Sequence, residues 1–401
     1  MKNTVFSIFS LPRALHSDAS ERSIYLLPDT ALRAAVPYAL ISARADIINR
    51  ERIKMDVVIQ KNTNRHDTDP KQAAAREIMW DYARGIGILL VVYGHVLRGL
   101  NSAGMVSDEH WLMASDYAIY TFHMPLFFLL AGMNAGKGLA RSGFLRSKLM
   151  TIVYPYLLWS LIQGLIQVLM SDSANIPFHL SDLGPAILWK PLGQFWFLYA
   201  LLLCHIFVYL TTANRLRVSL FALAAYLVGI NFELGILSQS LQFFLFYAAG
   251  LLAAEHLKAA ALRLANPAGI GATLMATGIS IYAARQLGAY ADPWALPAAF
   301  LGMLLVLQVS ALLANSNRMR IIELLGLASM PIYLMHILAA SGARIVLSKL
   351  GITDMYLHLG IGFSLGVLFP LAAYYGIYLV RKEKVAGFTR GGTVFNKFRH
   401  I

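Results

Sequence analysis

The chain has 401 residues, of which 58% are hydrophobic and only 14% are charged, and its mean hydropathy is +0.58. Soluble domains carry about 25% charged residues, so this composition excludes an ordinary soluble protein and indicates apolar side chains that face lipid. The net charge of +13 comes from basic residues in short segments between apolar runs. That pattern indicates membrane topology, and no nucleic-acid partner is expected.

Residues 1–75 are mixed in composition and contain neither a span-length apolar run nor a signal peptide. We interpret them as an N-terminal extension that is poorly structured or partly untranslated, with the true start at Met55. An alternative interpretation is an amphipathic membrane-surface helix over 31–48.

From about residue 83, apolar runs alternate with short polar breaks. Most of the runs approach the ~20 residues that a helix needs to cross a bilayer, and they are too long and too uniformly apolar for barrel strands. The sequence therefore predicts an all-α integral membrane protein with about ten transmembrane helices, the fifth of them short and either tilted or re-entrant. The runs are 83–100, 117–136, 149–170, 195–213, 217–232, 236–254, 268–285, 293–314, 324–347 and 357–380.

Basic residues are concentrated at one end of these predicted helices. The connections 137–148, 214–217, 255–264 and 314–323 are rich in Lys and Arg, as is the C-terminal tail. The Lys and Arg residues of the opposite connections are only two, Lys190 and Lys349. These connections are 101–116, 171–194, 233–235, 286–292 and 348–356. The positive-inside rule then makes both termini cytoplasmic. We expect a membrane domain over 76–381 in the inner (plasma) membrane and a basic cytoplasmic tail over 382–401.

The first predicted span contains Arg84, His95 and Arg98, with Asp81 just before it, and ionisable residues inside a membrane are functional candidates. Asp81 and Arg84 lie at its cytoplasmic entry, three residues apart, where they could pair. His95 and Arg98 lie near its outer end. Arg84 and His95 are close to three whole turns apart, so they share a face and are separated by about 16 Å. This face should line a cavity or contact other helices, although the arginines could also be headgroup anchors and His95 a structural histidine.

Other spans add further polar candidates. His123 and Pro125 fall in the second span, and His123 is also compatible with a packed core histidine. Trp196 opens the fourth span and either walls a pocket or belongs to the interfacial aromatic belt. His336 and Arg344 lie eight residues apart in the ninth span, on roughly one face. Imidazoles suit proton transfer near neutral pH, and guanidiniums suit phosphate-rich ligands. The single cysteine, Cys204, allows no intrachain disulfide, and no metal site is predicted.

At these residues the sequence resembles the acyltransferase-3 family of membrane O-acyltransferases, which includes exopolysaccharide and O-antigen acetyltransferases and fucose 4-O-acetylase-like proteins. The resemblance covers about residues 76–380. It differs from the family pattern in the extension over 1–75 and in AGM at 131–133, where many relatives have a serine before the glycine. Its motifs, in order, are Asp81–Arg84–Gly85 with His95, FHMPLFFLLAG (122–132), YPYLLW (154–159), QFWFL (194–198) and SMPIYLMH (329–336).

The resemblance implies transfer of an acyl group from acyl-CoA, usually acetyl-CoA, to a hydroxyl of a cell-surface or lipid-linked saccharide, with no bound cofactor. It implies that His95, Arg84 and Asp81 are catalytic, with His95 as a general base or a transient acyl carrier. His336, Arg344, His123 and Trp196 are expected to contribute to substrate binding. The partners would be acyl-CoA, the saccharide and membrane lipid. A saccharide or lipid transporter without covalent chemistry is the alternative, and its mark would be two related halves with broken helices.

Overall fold

The computed structural model describes residues 70–139, 143–171, 177–211, 214–290, 292–316 and 319–379. Within these ranges the secondary structure is helical throughout, and all of it belongs to one compact unit, Asn64–Ile401. The predicted start at Met55, the helix over 31–48 and the tail over 382–401 fall on residues outside these ranges. The side of the membrane on which the termini lie stays a prediction.

Thirteen α-helices follow one another in the described part of the chain, and several of them are extended by short irregular turns. A π-helical turn, Leu149–Val153, leads into the helix that begins at Tyr154, and a 3-10 turn, Gly193–Phe195, leads into the helix that begins at Trp196. The helices are α1 Pro70–Ser102, α2 Trp111–Leu139, α3 Phe144–Lys148, α4 Tyr154–Leu169, α5 Leu183–Leu188, α6 Trp196–Leu210, α7 Arg215–Asn231, α8 Ile236–Arg263, α9 Pro267–Leu287, α10 Leu296–Ser316, α11 Arg320–Leu327, α12 Ser329–Lys349 and α13 Met355–Leu379.

Nine of the helical segments in the described ranges are long and apolar enough to cross a bilayer. The fifth predicted run corresponds to α7, whose 17 residues span about 25 Å at 1.5 Å per residue. This length is less than the ~30 Å of the hydrocarbon core, and α7 is not among these nine segments. The prediction of an all-α integral membrane protein is confirmed.

The predicted run 324–347 is wrong as a single helix, because the chain turns at Ala328 between α11 and α12. Pro331 lies in the first turn of α12, where a missing backbone N–H does no harm. The short α11 instead packs on α1. Gly326 of α11 lies against the backbone oxygen of Asp81, and Gly85 of α1 lies against that of Ile322, so the two backbones meet where no side chain intervenes.

The helix α1 occupies the centre of the bundle, because it packs against α2, α10, α11, α12 and α13. Gly87 and Gly94 of α1 face α2, whereas Val92 and Val96 face α13 at Gly366 and Gly362. A helix surrounded on so many sides shows little of itself to lipid. Buried ionisable side chains on α1 therefore need partners on α1 itself or on its neighbours, because hydrocarbon supplies none.

Candidate functional site

The N-terminal half of α1 carries the predicted Asp81–Arg84 pair. The Arg84 Nη2 lies 3.0 Å from the Asp81 Oδ1, and the Arg84 Nε donates to the Trp80 carbonyl at 3.2 Å. The Arg84 side chain is 34% exposed, whereas the Asp81 side chain is 15% exposed. The carboxylate therefore holds a guanidinium that still has accessible donor groups, an arrangement suited to an incoming anionic group.

Toward the other end of α1, His95 meets His336 of α12. The two ring centroids are 5.1 Å apart, with the rings inclined at 58°. The face of α1 that carries His95 thus contacts another helix, as the sequence predicts. The spacing within α1 could not reveal which residue it would meet, because His336 follows 241 residues later in the chain.

The protonation of His336 follows from its hydrogen bonds. Its Nδ1 contacts the Tyr333 carbonyl at 2.9 Å and the Ile332 carbonyl at 3.1 Å. A carbonyl oxygen can only accept, so Nδ1 carries the proton of the neutral ring and Nε2 presents a lone pair. This Nε2 is buried and has no hydrogen-bond partner among the described residues. A buried acceptor without a partner is costly, and one on a ring that packs against a second imidazole is a natural position for a substrate proton.

Arg98, one turn beyond His95, pairs with Asp116 of α2. Its Nε donates to the Asp116 Oδ2 at 2.9 Å, and its guanidinium lies 3.6 Å from the centre of the Tyr120 ring. Gly94 faces the same carboxylate, because a Cβ there would lie 3.3 Å from the Asp116 Oδ1. That Oδ1 is buried without a partner in the described part of the chain.

Sequence analysis missed Asp116, which it assigned to the loop over 101–116. In the structure Asp116 lies in the second turn of α2 and is 7% exposed. The signal was nevertheless present in the sequence. The connection between the first two helices is short, so they must be antiparallel neighbours, and a charge near the end of one lies beside a charge near the start of the next.

His123 is buried on α2 close to this pair. Its Nδ1 contacts the Ile119 carbonyl at 2.8 Å, and its ring packs edge-on against Tyr120 at 5.0 Å. The Tyr120 ring thus contacts both His123 and the Arg98 guanidinium. Its predicted part in substrate binding stays a prediction.

Trp196 and Arg344 lie farther from the imidazole pair. The Trp196 ring packs on Phe243 at 5.2 Å, and its connection to His336 passes through Phe197 and Tyr333. Arg344 is half-buried two turns beyond His336. No hydrogen bond or ion pair seen in the described ranges joins it to either imidazole. The structure thus brings His95 and His336 together, with Arg98 and His123 nearby.

A second polar group that sequence analysis missed supports α12 beside His336. Gln163 of α4 and Gln194, before α6, are both 1% exposed, and the Gln194 Nε2 donates to the Gln163 Oε1 at 2.9 Å. The Tyr333 hydroxyl donates to the Gln194 carbonyl. Because the Tyr333 carbonyl itself accepts from His336, this network links three elements to the orientation of one imidazole.

Between the two polar ends of α1, the same side of the helix carries Ile88 and Val91, which are 1% and 2% exposed. Arg84 and His95 are therefore two separate polar positions about 16 Å apart along the axis, with packed aliphatic side chains between them. Within the described ranges, no group of three or more His, Cys, Asp or Glu side chains is arranged to hold a metal ion.

These features define a multi-pass membrane protein in which a buried imidazole, His336, packs against a half-buried one, His95, a site suited to proton transfer. The family model described as an acyltransferase domain, acyltransferase-3, matches residues 78–375, which is most of the chain. The chain belongs to this family.

Two relatives share part of the sequence. The nodulation protein NolL of Mesorhizobium japonicum is 31% identical over 159 residues, covering 38% of this chain and 41% of that protein. The nodulation protein NolL of Sinorhizobium fredii is 31% identical over 145 residues, covering 35% of this chain and 38% of that protein. The chain thus spans about two fifths of the length of the curated relatives it matches. No solved structure matches the chain significantly.

Proposed function

We propose that the chain is a membrane O-acyltransferase that moves an acyl group, most simply acetyl, from acyl-CoA to a hydroxyl of a cell-surface or lipid-linked saccharide. Membership of the acyltransferase family supports the reaction type. The observation that carries the mechanism is the contact of His95 with His336, whose Nε2 is a buried acceptor without a partner in the described part of the chain. The membrane would be the inner (plasma) membrane, with the basic end of the bundle in the cytoplasm.

In this reaction an imidazole takes the proton of the acceptor hydroxyl as its oxygen attacks the thioester carbonyl carbon. The C–O bond forms, the C–S bond breaks, and the proton passes to the departing sulfur to give free coenzyme A. We assign the role of general base to His95. We assign to His336 the role of a hydrogen-bond acceptor that orients either the His95 ring or the substrate hydroxyl. Base catalysis of this kind contributes about 10²–10⁴-fold. If His95 instead carries the acyl group transiently, the net reaction is the same.

Arg84 is assigned to the donor. Its exposed guanidinium would bind the phosphates of acyl-CoA, and Asp81 would hold it in place. The about 16 Å between Arg84 and His95 suits a donor whose charged head and reacting thioester are joined by a long thin arm. Since Ile88 and Val91 are packed, that arm would run beside this face of α1 rather than along it.

The test uses the purified full chain in detergent with acetyl-CoA and the surface polysaccharide of cells that lack the protein. The wild-type chain should release coenzyme A and raise the saccharide mass by one acyl unit. His95→Ala should lower transfer by about 10²–10⁴-fold. Transfer at a near wild-type rate in His95→Ala would remove His95 from the mechanism. Saccharide uptake into vesicles without release of coenzyme A would instead favour a transporter and contradict the proposal.

A further inference from the structure

A pocket whose ≈ 370 Å³ of empty space includes open solvent lies at the end of the bundle whose connections carry few Lys and Arg. Its walls come from α2, α7, α8 and α10 and from the turn before α10. Five aromatic rings, those of Tyr120, Tyr226, Phe243, Phe246 and Tyr290, line it together with the polar side chains of Gln242 and Asp292.

One lining group points to a polar ligand. Tyr226 is 5% exposed, and its hydroxyl is buried without a hydrogen-bond partner in the part of the chain that the structure describes. A phenol can both donate and accept, so leaving it unsatisfied costs free energy that a ligand hydroxyl would recover. An apolar occupant such as a lipid tail would leave that cost in place.

The wall formed by the turn is held in position before any ligand arrives. The Asp292 Oδ2 accepts from the Ala289 backbone N–H at 2.7 Å, and the Tyr117 hydroxyl donates to the Gly288 carbonyl at 3.1 Å. The Tyr290 ring packs edge-on against Tyr120 at 4.5 Å. Burial, together with Tyr120 and Asp116, raises the pKa of Tyr290 against an opposing effect of Arg98, so its hydroxyl stays protonated and can donate.

The pocket shares a wall with the imidazole site. Tyr120 lines the pocket, and the same ring contacts His123 and lies beneath the Arg98 guanidinium, one turn from His95. A molecule in the pocket would therefore approach the reacting centre from the end opposite to Arg84.

We propose that this pocket binds one sugar ring of the acceptor, through stacking on its tyrosines and hydrogen bonds to Tyr226 and Asp292. Aromatic rings cover the C–H faces of a sugar, whereas the polar groups distinguish its hydroxyls. This inference rests on the proposed function for the identity of the ligand as acceptor. Saccharide binding itself can be tested without catalysis.

The test places a reporter cysteine in the pocket by Gln242→Cys, in a chain whose single native cysteine, Cys204, is fully buried. Labelling by a charged, water-soluble maleimide is followed in the presence of a panel of methyl hexopyranosides and methyl 6-deoxyhexopyranosides. At least one glycoside should slow labelling roughly tenfold when present at ~10 times its dissociation constant, because only the empty pocket reacts. Glu233→Cys, in the exposed turn before α8, is the control and should label at an unchanged rate.

Four tyrosine variants separate hydrogen bonding to the sugar from stacking against it. Adding Tyr226→Phe to the reporter should raise the half-protecting glycoside concentration about 2–10-fold. Tyr247→Phe should leave it unchanged, because its hydroxyl is equally buried and without a partner in the described ranges but does not line the pocket. Tyr290→Ala should raise that concentration about tenfold, and Tyr290→Phe, which keeps the ring, should raise it less.

If Gln242→Cys itself disturbs the pocket, the KM for the acceptor is measured in Tyr226→Phe and Tyr247→Phe with Gln242 intact. The proposal requires that KM to rise in the first variant alone, with the KM for acetyl-CoA unchanged. It is overturned if no glycoside slows labelling, if a detergent monomer protects and glycosides do not, or if Tyr226→Phe and Tyr247→Phe behave alike. If His95→Ala loses acyl transfer while a glycoside still protects the reporter cysteine, the result supports both the role of His95 in transfer and the binding of a sugar in this pocket.

Discussion

Arg98 and Asp116 form an ion pair at 2.9 Å between the first two long helices. The pair fixes the helix that carries His95 against the helix that carries Tyr120 and His123. The guanidinium stacks on the Tyr120 ring, so the same contact also positions the wall between the imidazole site and the pocket that Tyr120 lines. The side chains are 30% and 10% exposed, so water screens the pair only in part.

We therefore expect Asp116→Asn, which keeps the shape of the side chain and removes its charge, to destabilise the protein. A partly buried guanidinium would lose its counter-ion, at a cost of about 1–3 kcal/mol. The measurement is the thermal unfolding midpoint in detergent. Glu255→Gln provides the matched control, because Glu255 pairs with Lys258 at 3.8 Å while its side chain is 85% exposed, and such pairs contribute little. Equal midpoints for both variants would show that Asp116 does not anchor Arg98.

His336→Ala should lower acyl transfer by about 10²–10⁴-fold, while the chain stays folded. The control is His205→Ala. His205 is equally buried, and its Nδ1 also contacts the carbonyl four residues earlier, Leu201, but its ring packs on Phe144 and Tyr247 rather than on His95. That variant should keep its transfer rate after correction for the folded fraction.

The double variant His95→Ala/His336→Ala tests whether the two imidazoles act as one unit. If they do, the double loss should be no larger than the greater of the two single losses. Losses that multiply would mean that the rings act independently, and the assigned division of roles would then be wrong.

The sequence predicted the helices well because lipid imposes a length and an apolar composition on each span. The runs 236–254 and 268–285, for example, correspond to α8 and α9. It failed at 324–347 because composition cannot show a turn between two apolar helices. The break at Ala328 serves a tertiary contact, the backbone approach of Gly326 to Asp81, and a single sequence contains no signal for that partner.

The site was predictable only as separate residues. Ionisable side chains are costly in free energy inside a membrane, and on that ground His95, Arg84 and His336 were identified one by one. Helical spacing then related pairs of residues within one helix. The contact between His95 and His336, the Gln163–Gln194 pair and the unpaired Tyr226 hydroxyl depend on how α12, α4 and α7 pack. Sequence spacing says nothing about contacts between helices so far apart in the chain.

Gly326→Ala should destabilise the protein and also displace the Asp81–Arg84 pair that is assigned to the acyl donor. A Cβ at this position would collide with the Asp81 carbonyl and approach the Gly85 backbone, so α11 would have to move away from α1. Overpacking of this kind costs about 1–3 kcal/mol, and the thermal midpoint in detergent measures it. Gly342→Ala, on α12 with nothing within 4 Å of the added carbon, should be neutral or slightly stabilising. The prediction fails if the two alanine variants unfold at the same temperature.

Arg84→Ala should raise the KM for acetyl-CoA with little change in kcat, because the guanidinium is assigned to the donor's phosphates rather than to the reacting atoms. Loss of a charge-assisted hydrogen bond of about 1.5–3 kcal/mol corresponds to roughly a 10–150-fold rise. Arg84→Lys keeps the charge but loses the planar donor geometry, so it should recover only part of the affinity. Arg215→Ala is the control, since Arg215 lies exposed at the same basic end and donates to the Leu252 carbonyl at 3.1 Å. A kcat that falls while the KM for acetyl-CoA stays constant would move Arg84 from donor binding to the chemical step.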